Sequence, residues 1–325
     1  MRKELSLLKT PISTYQSNSF ISYILYSYDN SLNAYHNNYI NIECRARELV
    51  TLKGNIHLEY IDCLWDSFCK QGIAEMDLYY IRNIAEEKMV DFLKERIDQN
   101  NYLLLYDIDE FYLPYSEKYM KSHFIHDTYI YGYDEDEFLV LAYSNRKLQK
   151  IKVAKDDIKR ALYRTFPDGQ DTSFCTFRIN ASIYIEPDQE KIRRGLRSYL
   201  HSNNDNMQEN TVYGLDTYES VLAYLSLVKS NISTMQKIDM RIFKFLYEHK
   251  SVMKQHVIYW TDKKPESELI VNNAKEIENL ASTVFLSMLK YSVTTNVNLI
   301  DSSIDFIGRM KIIEKKMIES VLDVL

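Results

Sequence analysis

Glycine and proline are scarce in this chain, seven and five residues out of 325, so few positions force a turn or break a helix and long helices are expected. Cysteine is scarcer still. Cys44, Cys63, Cys69 and Cys175 form no CxxC pair and no regular spacing, which points to neither a zinc site nor a disulfide framework. No basic cluster is longer than two or three residues and the net charge is −6, so the concentrated positive face that nucleic-acid binding needs is missing. No apolar run approaches the roughly 18 residues of a membrane span. The opening MRKELSLLKTP carries no apolar stretch of signal-peptide length. These absences predict a cytoplasmic protein with no membrane or nucleic-acid partner, and with no metal or other cofactor.

What is present is a globular composition, 46% hydrophobic and 26% charged. Tyrosine stands out at 27 residues. It buries a large ring while keeping one polar atom, so the excess fits either a polar-lined groove or a compositional drift shared with Asn, Ile and Lys. The most informative stretch is 102–143. It holds three short apolar runs, at 102–106, 129–131 and 138–143, separated by turn signals, and therefore predicts three adjacent strands. Between the first two lie the acidic-aromatic segment Asp107 to Tyr112, a turn at Pro114, and two histidines, His123 and His126.

Upstream, 17–28 reads as a short buried helix with Phe20, Ile21, Ile24 and Leu25 on one face and Ser17 or Asn18 as its N-cap. Ser19 then falls in the first turn, at the positive end of the macrodipole, as either a further cap or an exposed nucleophile. Strands are expected at 39–44 and 58–61, a helix at 63–70, and an amphipathic helix at 84–99 closed by Asn100 and Asn101. Beyond the central strands, 147–153 and 174–179 read as strands and 156–164 as a helix. After Pro187 the character changes: 188–200, 217–228, 238–249, 252–260, 268–291 and 297–325 all carry helical periodicity, with a polar loop at 203–210. The expected division is an α+β domain over 1–186 and a mostly helical domain over 187–325.

The motif His126-Asp-Thr-Tyr-Ile-Tyr-Gly132-Tyr-Asp134 resembles the histidine strand of bacterial papain-like proteins, including the bacteriocin-processing peptidases. The longer run LPYSEKYMKSHFIHDTYIYGYD resembles the butirosin biosynthesis protein H N-terminal family. QSNSFISYIL resembles that family's nucleophile helix. Tyr213 to Tyr218 and Arg241 to Lys250 resemble the C-terminal region of relatives found beside nonribosomal peptide synthetases. The resemblance implies a papain-like α+β domain with an antiparallel sheet followed by a mostly helical domain. Its implied activity is amide-forming acyl transfer in natural-product biosynthesis, from an acyl or peptidyl carrier protein to a small-molecule amine. The implied nucleophile is Ser19 and the implied base is His126, with Gln16 and Asn18 beside the oxyanion.

Two positions depart from the family pattern. The nucleophile is serine where cysteine is usual, and a hydroxyl lacks the thiolate fraction that makes a Cys–His pair reactive. The orienting carboxylate expected near position 142 is replaced by Ala142, with Asn145 three residues late as a substitute. Loss of that carboxylate costs on the order of 10⁴ in rate in a serine triad. The residues therefore leave three readings open: an active acyltransferase, a non-catalytic module that docks a carrier domain or an intermediate, and a cysteine-peptidase-like hydrolase. Cys44 is an alternative nucleophile, while Cys63 and Cys69 sit among apolar residues as packing. His123 and His126 would share a metal only if helical; on a strand they face opposite sides. Asp107, Asp109, Tyr112 and His123 either line an acceptor groove or form a solvated strand end. The segment Tyr247 to Lys250 reads as helix surface.

Overall fold

The computed structural model describes residues 2–47, 55–61, 63, 65–163, 172–205, 207–230, 238–262 and 264–325. The amino-terminal part runs β1 (Lys3–Glu4), α1 (Gln16–Tyr26), α2 (Leu32–His36), β2 (Ile42–Arg47), β3 (Asn55–Tyr60) and α3 (Trp65–Lys70). Then come β4 (Ala74–Tyr80), α4 (Met89–Asp98), β5 (Tyr102–Asp109), β6 (Ile125–Tyr133), β7 (Glu137–Ser144), β8 (Lys147–Ala154), α5 (Lys155–Tyr163) and β9 (Ser173–Ile179). The remainder is α6 (Gln189–Leu200), β10 (Thr211–Tyr213), α7 (Thr217–Ser230), α8 (Met240–Trp260), α9 (Ser267–Thr294) and α10 (Asn298–Val324). The protein is mixed α+β with antiparallel sheets and a helical carboxy-terminal region.

Two compact units divide the chain as Met1–Leu32 with Leu64–Ile185, and Asn33–Cys63 with Glu186–Leu325. The expected continuous domain over 1–186 thus loses residues 33–63 to the second unit. The cause is strand pairing: β2 pairs with β3 and also with β10, at Thr211↔Arg45 and Tyr213↔Glu43, which ties this early segment to the carboxy-terminal chain.

The first unit is built on an antiparallel sheet in the order β4-β9-β5-β6-β7-β8, with β1 pairing the end of β6. The three central strands are the apolar runs of 102–143. They neighbour one another because their faces are apolar, so each edge is buried by the next strand, with residues 110–124 joining the first pair and 134–136 the second. Alternation divides the side chains between two faces. On one face Phe20 of α1 packs 4.9 Å from Tyr129 and 5.6 Å from Tyr102, while Trp65 of α3 lies 4.8 Å from Phe177. On the other, Phe92 of α4 meets Phe174 at 6.1 Å. Such ring pairs add about 0.5–1.5 kcal/mol each beyond simple burial. Gly132 has a steric reason unrelated to chemistry. A Cβ there would lie 2.6 Å from the Lys3 carbonyl oxygen, so glycine is what lets β1 close on β6.

Turn geometry settles Asn145. Asn145 and Arg146 have φ of 51° and 62° and join Ser144 to its partner Lys147, the positive dihedrals that a two-residue type I′ hairpin demands. Helix α4 ends as expected, with Asn100 left-handed at φ 64°. Strand β4 was not anticipated, because Met76, Leu78 and Tyr80 lie on an exposed edge where alternation carries no burial.

In the second unit α8 is one helix of 21 residues where two were expected, since Lys250 and Ser251 supply no break between them. Its Tyr247 to Lys250 segment is not helix surface: Glu248, His249 and Lys250 are buried. Lys250 Nζ donates to both oxygens of Glu314 on α10 at 2.8 and 3.0 Å, and to Tyr199 Oη at 2.7 Å. Glu314 also accepts from the phenols of Tyr199 (3.1 Å) and Tyr218 (2.6 Å). His249 donates from Nε2 to the Ile40 carbonyl and accepts from Lys250 at Nδ1, which fixes its tautomer. Every charge in this buried cluster has a partner, which is the condition for keeping charges inside.

Candidate functional site

The titratable groups of the first unit converge where β5 ends and β6 begins. Antiparallel pairing sets Ile108 opposite His126 and Asp109 opposite Ile125. The register shifts between Leu105 and Ile108, where Asp107 takes φ 53°, and this bulge turns the strand end so that Asp109 points inward. Asp109 is fully buried. Its Oδ1 accepts from the backbone N–H of Phe111 (3.0 Å) and of Phe124 (3.1 Å), and its Oδ2 lies 2.6 Å from His123 Nδ1. A carboxylate held by two amides fixes the imidazole that donates to it, leaving Nε2 of His123 free on a ring stacked 4.5 Å from Phe111. Tyr112 lies in the 3₁₀ turn Glu110–Tyr112, with its ring 6.3 Å from His123. Asp107 is exposed.

His126 forms a second histidine–carboxylate pair. Its Nδ1 is 3.3 Å from Glu110 Oε1, and Glu110 also accepts from Ser116 Oγ. Hydrogen bonding to Glu110 raises the His126 pKa above the ordinary imidazole value, against an opposing effect of burial. A carboxylate partner for His126 therefore exists, but it comes from the end of the preceding strand. The position at which one was expected, Ala142, is an apolar residue buried within β7. Asn145 is a hairpin residue. Glu110 was legible in the sequence only as one acid in an acidic run; its pairing with His126 depends on the β5–β6 register.

The first turn of α1 differs from expectation. The helix begins at Gln16 after Tyr15, whose extended backbone marks the N-cap position without a side-chain cap bond, so Ser17 and Asn18 lie inside the helix. Ser19 is the fourth helical residue and is fully buried, and its hydroxyl donates to the Tyr15 carbonyl at 2.7 Å. That bond turns the hydroxyl back along its own helix. Gln16 Nε2 donates to the Leu141 carbonyl at 2.8 Å and to that of Asp127 at 3.4 Å, so it clamps β6 and β7, and Asn18 is buried in the same turn. The Ser17 hydroxyl of α1 hydrogen-bonds Tyr129 of the sheet, and the Tyr129 phenol donates to Asp127 Oδ2 at 3.0 Å. Burial raises the Asp127 pKa.

Strand alternation separates the two groups. Tyr129 and Asp127 occupy the α1 face, while Thr128, held by Tyr115 at 2.8 Å, and His126 occupy the opposite face. Ser19 and His126 are thus not brought together. The cysteines supply no replacement. Burial pushes the Cys44 thiol up to about 11 and raises those of Cys69 and Cys175, the direction that suppresses thiolate. Cys44 and Cys63 belong to the second unit. Among the described residues no group of three or more His, Cys, Asp or Glu side chains is placed to hold a metal ion. Nor is any helix among them long and apolar enough to cross a membrane.

Among the described residues the arrangement offers two oriented imidazoles, and Ser19 is not placed beside either. Either ring has the geometry of a general base, but a raised pKa keeps more of His126 protonated near neutrality and so weakens it in that role. No family model matches the chain, and no curated protein matches it.

Proposed function

We propose that this protein is a non-catalytic papain-like member of the butirosin biosynthesis protein H N-terminal group, working in nonribosomal-peptide-type natural-product biosynthesis. In this reading it docks an acyl or peptidyl carrier protein and holds the acyl intermediate without forming a covalent bond to it. The pathway and the partner rest on the sequence resemblance. The loss of chemistry rests on one observation, the burial of the Ser19 hydroxyl and its donation to Tyr15. An acyl acceptor must be reached by the thioester carbon and must lose its proton to a base in hydrogen-bond reach, and Ser19 meets neither condition.

A second reading, an active amide-forming acyltransferase, is favoured by the two oriented imidazoles. His126 with Glu110 and His123 with Asp109 reproduce the base-and-orienter half of a triad. On that reading either ring would deprotonate the acceptor amine for direct attack on the carrier thioester. Titration calorimetry of the full chain with an acyl-loaded carrier protein tests the first reading. Saturable binding with the thioester intact afterwards supports it. No binding, or consumption of the thioester when an amine is added, contradicts it.

A further inference from the structure

Helix α2 has five residues, LNAYH, too few to stay helical without tertiary support. That support comes from α8. Tyr35 Oη donates to Gln255 Oε1 at 2.9 Å, and the Tyr259 phenol donates to Asn33 Oδ1. Beside these two bonds, His36 Nδ1 lies 3.0 Å from His256 Nδ1. The His36 ring also lies flat on Tyr259, with centroids 3.9 Å apart and planes 5° from parallel. Both histidines are buried.

Two imidazole nitrogens facing each other at this distance must differ, one carrying a proton and donating it while the other accepts with its lone pair. A single proton therefore lies between them. The surroundings do not favour a second. Facing the pair are Asn33 and Tyr35 of α2, with Tyr39 behind Tyr35, the Asn38 backbone of the following loop, and Gln255, Tyr259 and Trp260 of α8. None of these is a carboxylate. Further along α8, His249 and the Lys250 that bonds it have the sign that opposes a new cation. Burial accordingly lowers the His36 pKa to about 4 and pushes that of His256 well below the ordinary imidazole value.

The position of α2 in the chain gives its release a consequence. The first unit ends at Leu32 and the second takes up the chain at Asn33, so α2 lies where the chain passes from one to the other. Asn37, directly after α2, bonds the Glu186 carbonyl and the Asp188 N–H, where the chain enters the second unit again. We propose that the His36–His256 pair is an acid-sensitive latch: one shared proton holds α2 to α8, and a further proton opens the pair and frees α2. The added charge is hydrated only once α2 has left α8, so acid drives the opening. Nothing in this depends on the carrier-docking reading.

Hydrogen exchange of the full chain at pH 7 and pH 4.5, read by mass spectrometry and corrected for the intrinsic pH dependence, tests the latch. A closed-state value near 4 against an ordinary 6.5 makes opening roughly 60-fold easier at pH 4.5 than at pH 7. Peptides covering α2 should lose protection by about that factor while peptides covering α9 and α10 keep theirs. The loss should follow the same pH interval as titration of the His36 ring resonance. His36→Phe keeps a ring on Tyr259 but binds no proton there, so the pH dependence should shrink, and in His36→Phe/His256→Phe it should vanish. Three results overturn the proposal: α2 equally protected at both pH values, α2 losing protection together with α9 and α10, or the double variant showing the wild-type pH dependence. If the double variant does not fold, wild type alone decides, since exchange of α2 that does not track the His36 titration also overturns it.

Discussion

Lys250→Met is the substitution with the most fully determined consequence. It removes a buried cation that donates to both Glu314 oxygens, to Tyr199 and to His249. Burial by itself lowers the Lys250 pKa, opposed by Glu314, so the cation persists in the fold because of its partner. Without it, Glu314 remains buried with only the Tyr199 and Tyr218 phenols to hold it. Breaking such a pair from one side costs about 3–5 kcal/mol. Two surviving phenol donors place the expectation near the lower end, about 3 kcal/mol, a large fraction of a typical domain's stability. Urea unfolding measures it, and the chain supplies its own probe: of its two tryptophans, Trp65 lies in the first unit and Trp260 in the second. In a Trp65→Phe background the fluorescence of Trp260 reports the unit that contains the pair. The double variant Lys250→Met/Glu314→Leu should recover part of the loss, because a matched apolar pair leaves no stranded charge. A cost below about 1 kcal/mol for Lys250→Met, or a double variant less stable than the single, would refute the reasoning.

Two further predictions concern histidines. Glu110→Gln removes the largest cause of the raised His126 pKa, so the His126 ring resonance should titrate at lower pH than in wild type. Because the folded value is raised, the His126–Glu110 pair stabilises the fold at pH below the unfolded imidazole value and loses that contribution as pH climbs through the folded one. His36 behaves oppositely. Burial lowers its pKa to about 4, with its Nδ1 set 3.0 Å from His256 Nδ1. Stability is then complete above about pH 6.5 and falls by about 3 kcal/mol as pH drops toward 4. Urea midpoints of wild type and His36→Gln at pH 7 and pH 4.5 should differ in their acid sensitivity, the variant being less affected.

What the sequence made legible was local. The strands at 102–143 are visible because their apolar runs are short, bounded and destined for a buried sheet centre. The long helices α9 and α10 are visible because nothing in them breaks the 3.6-residue period. What stayed hidden depended on register or on distance along the chain. The pairing of Glu110 with His126 needs the bulge after Leu105, which no period reveals. The transfer of residues 33–63 to the second unit needs the β2–β10 ladder, more than 160 residues apart in the chain. Lys250 and Glu314 look like surface charges until α10 is packed, 64 residues on. Ser19 misled for a local reason: the helix begins at Gln16, so the same serine moves from the exposed start to the buried side of the first turn.

The proposed non-catalytic docking role requires that no acyl-enzyme forms on this chain. Intact-protein mass spectrometry after incubation with an acyl-loaded carrier protein tests it directly, comparing wild type with Ser19→Ala, Ser17→Ala and His126→Ala. Unmodified protein mass is expected in all four, with the carrier thioester retained. A stoichiometric acyl adduct on wild type that disappears in Ser19→Ala and His126→Ala would contradict it, and would require Ser19 to leave its bond to Tyr15 and reach the opposite face of the sheet.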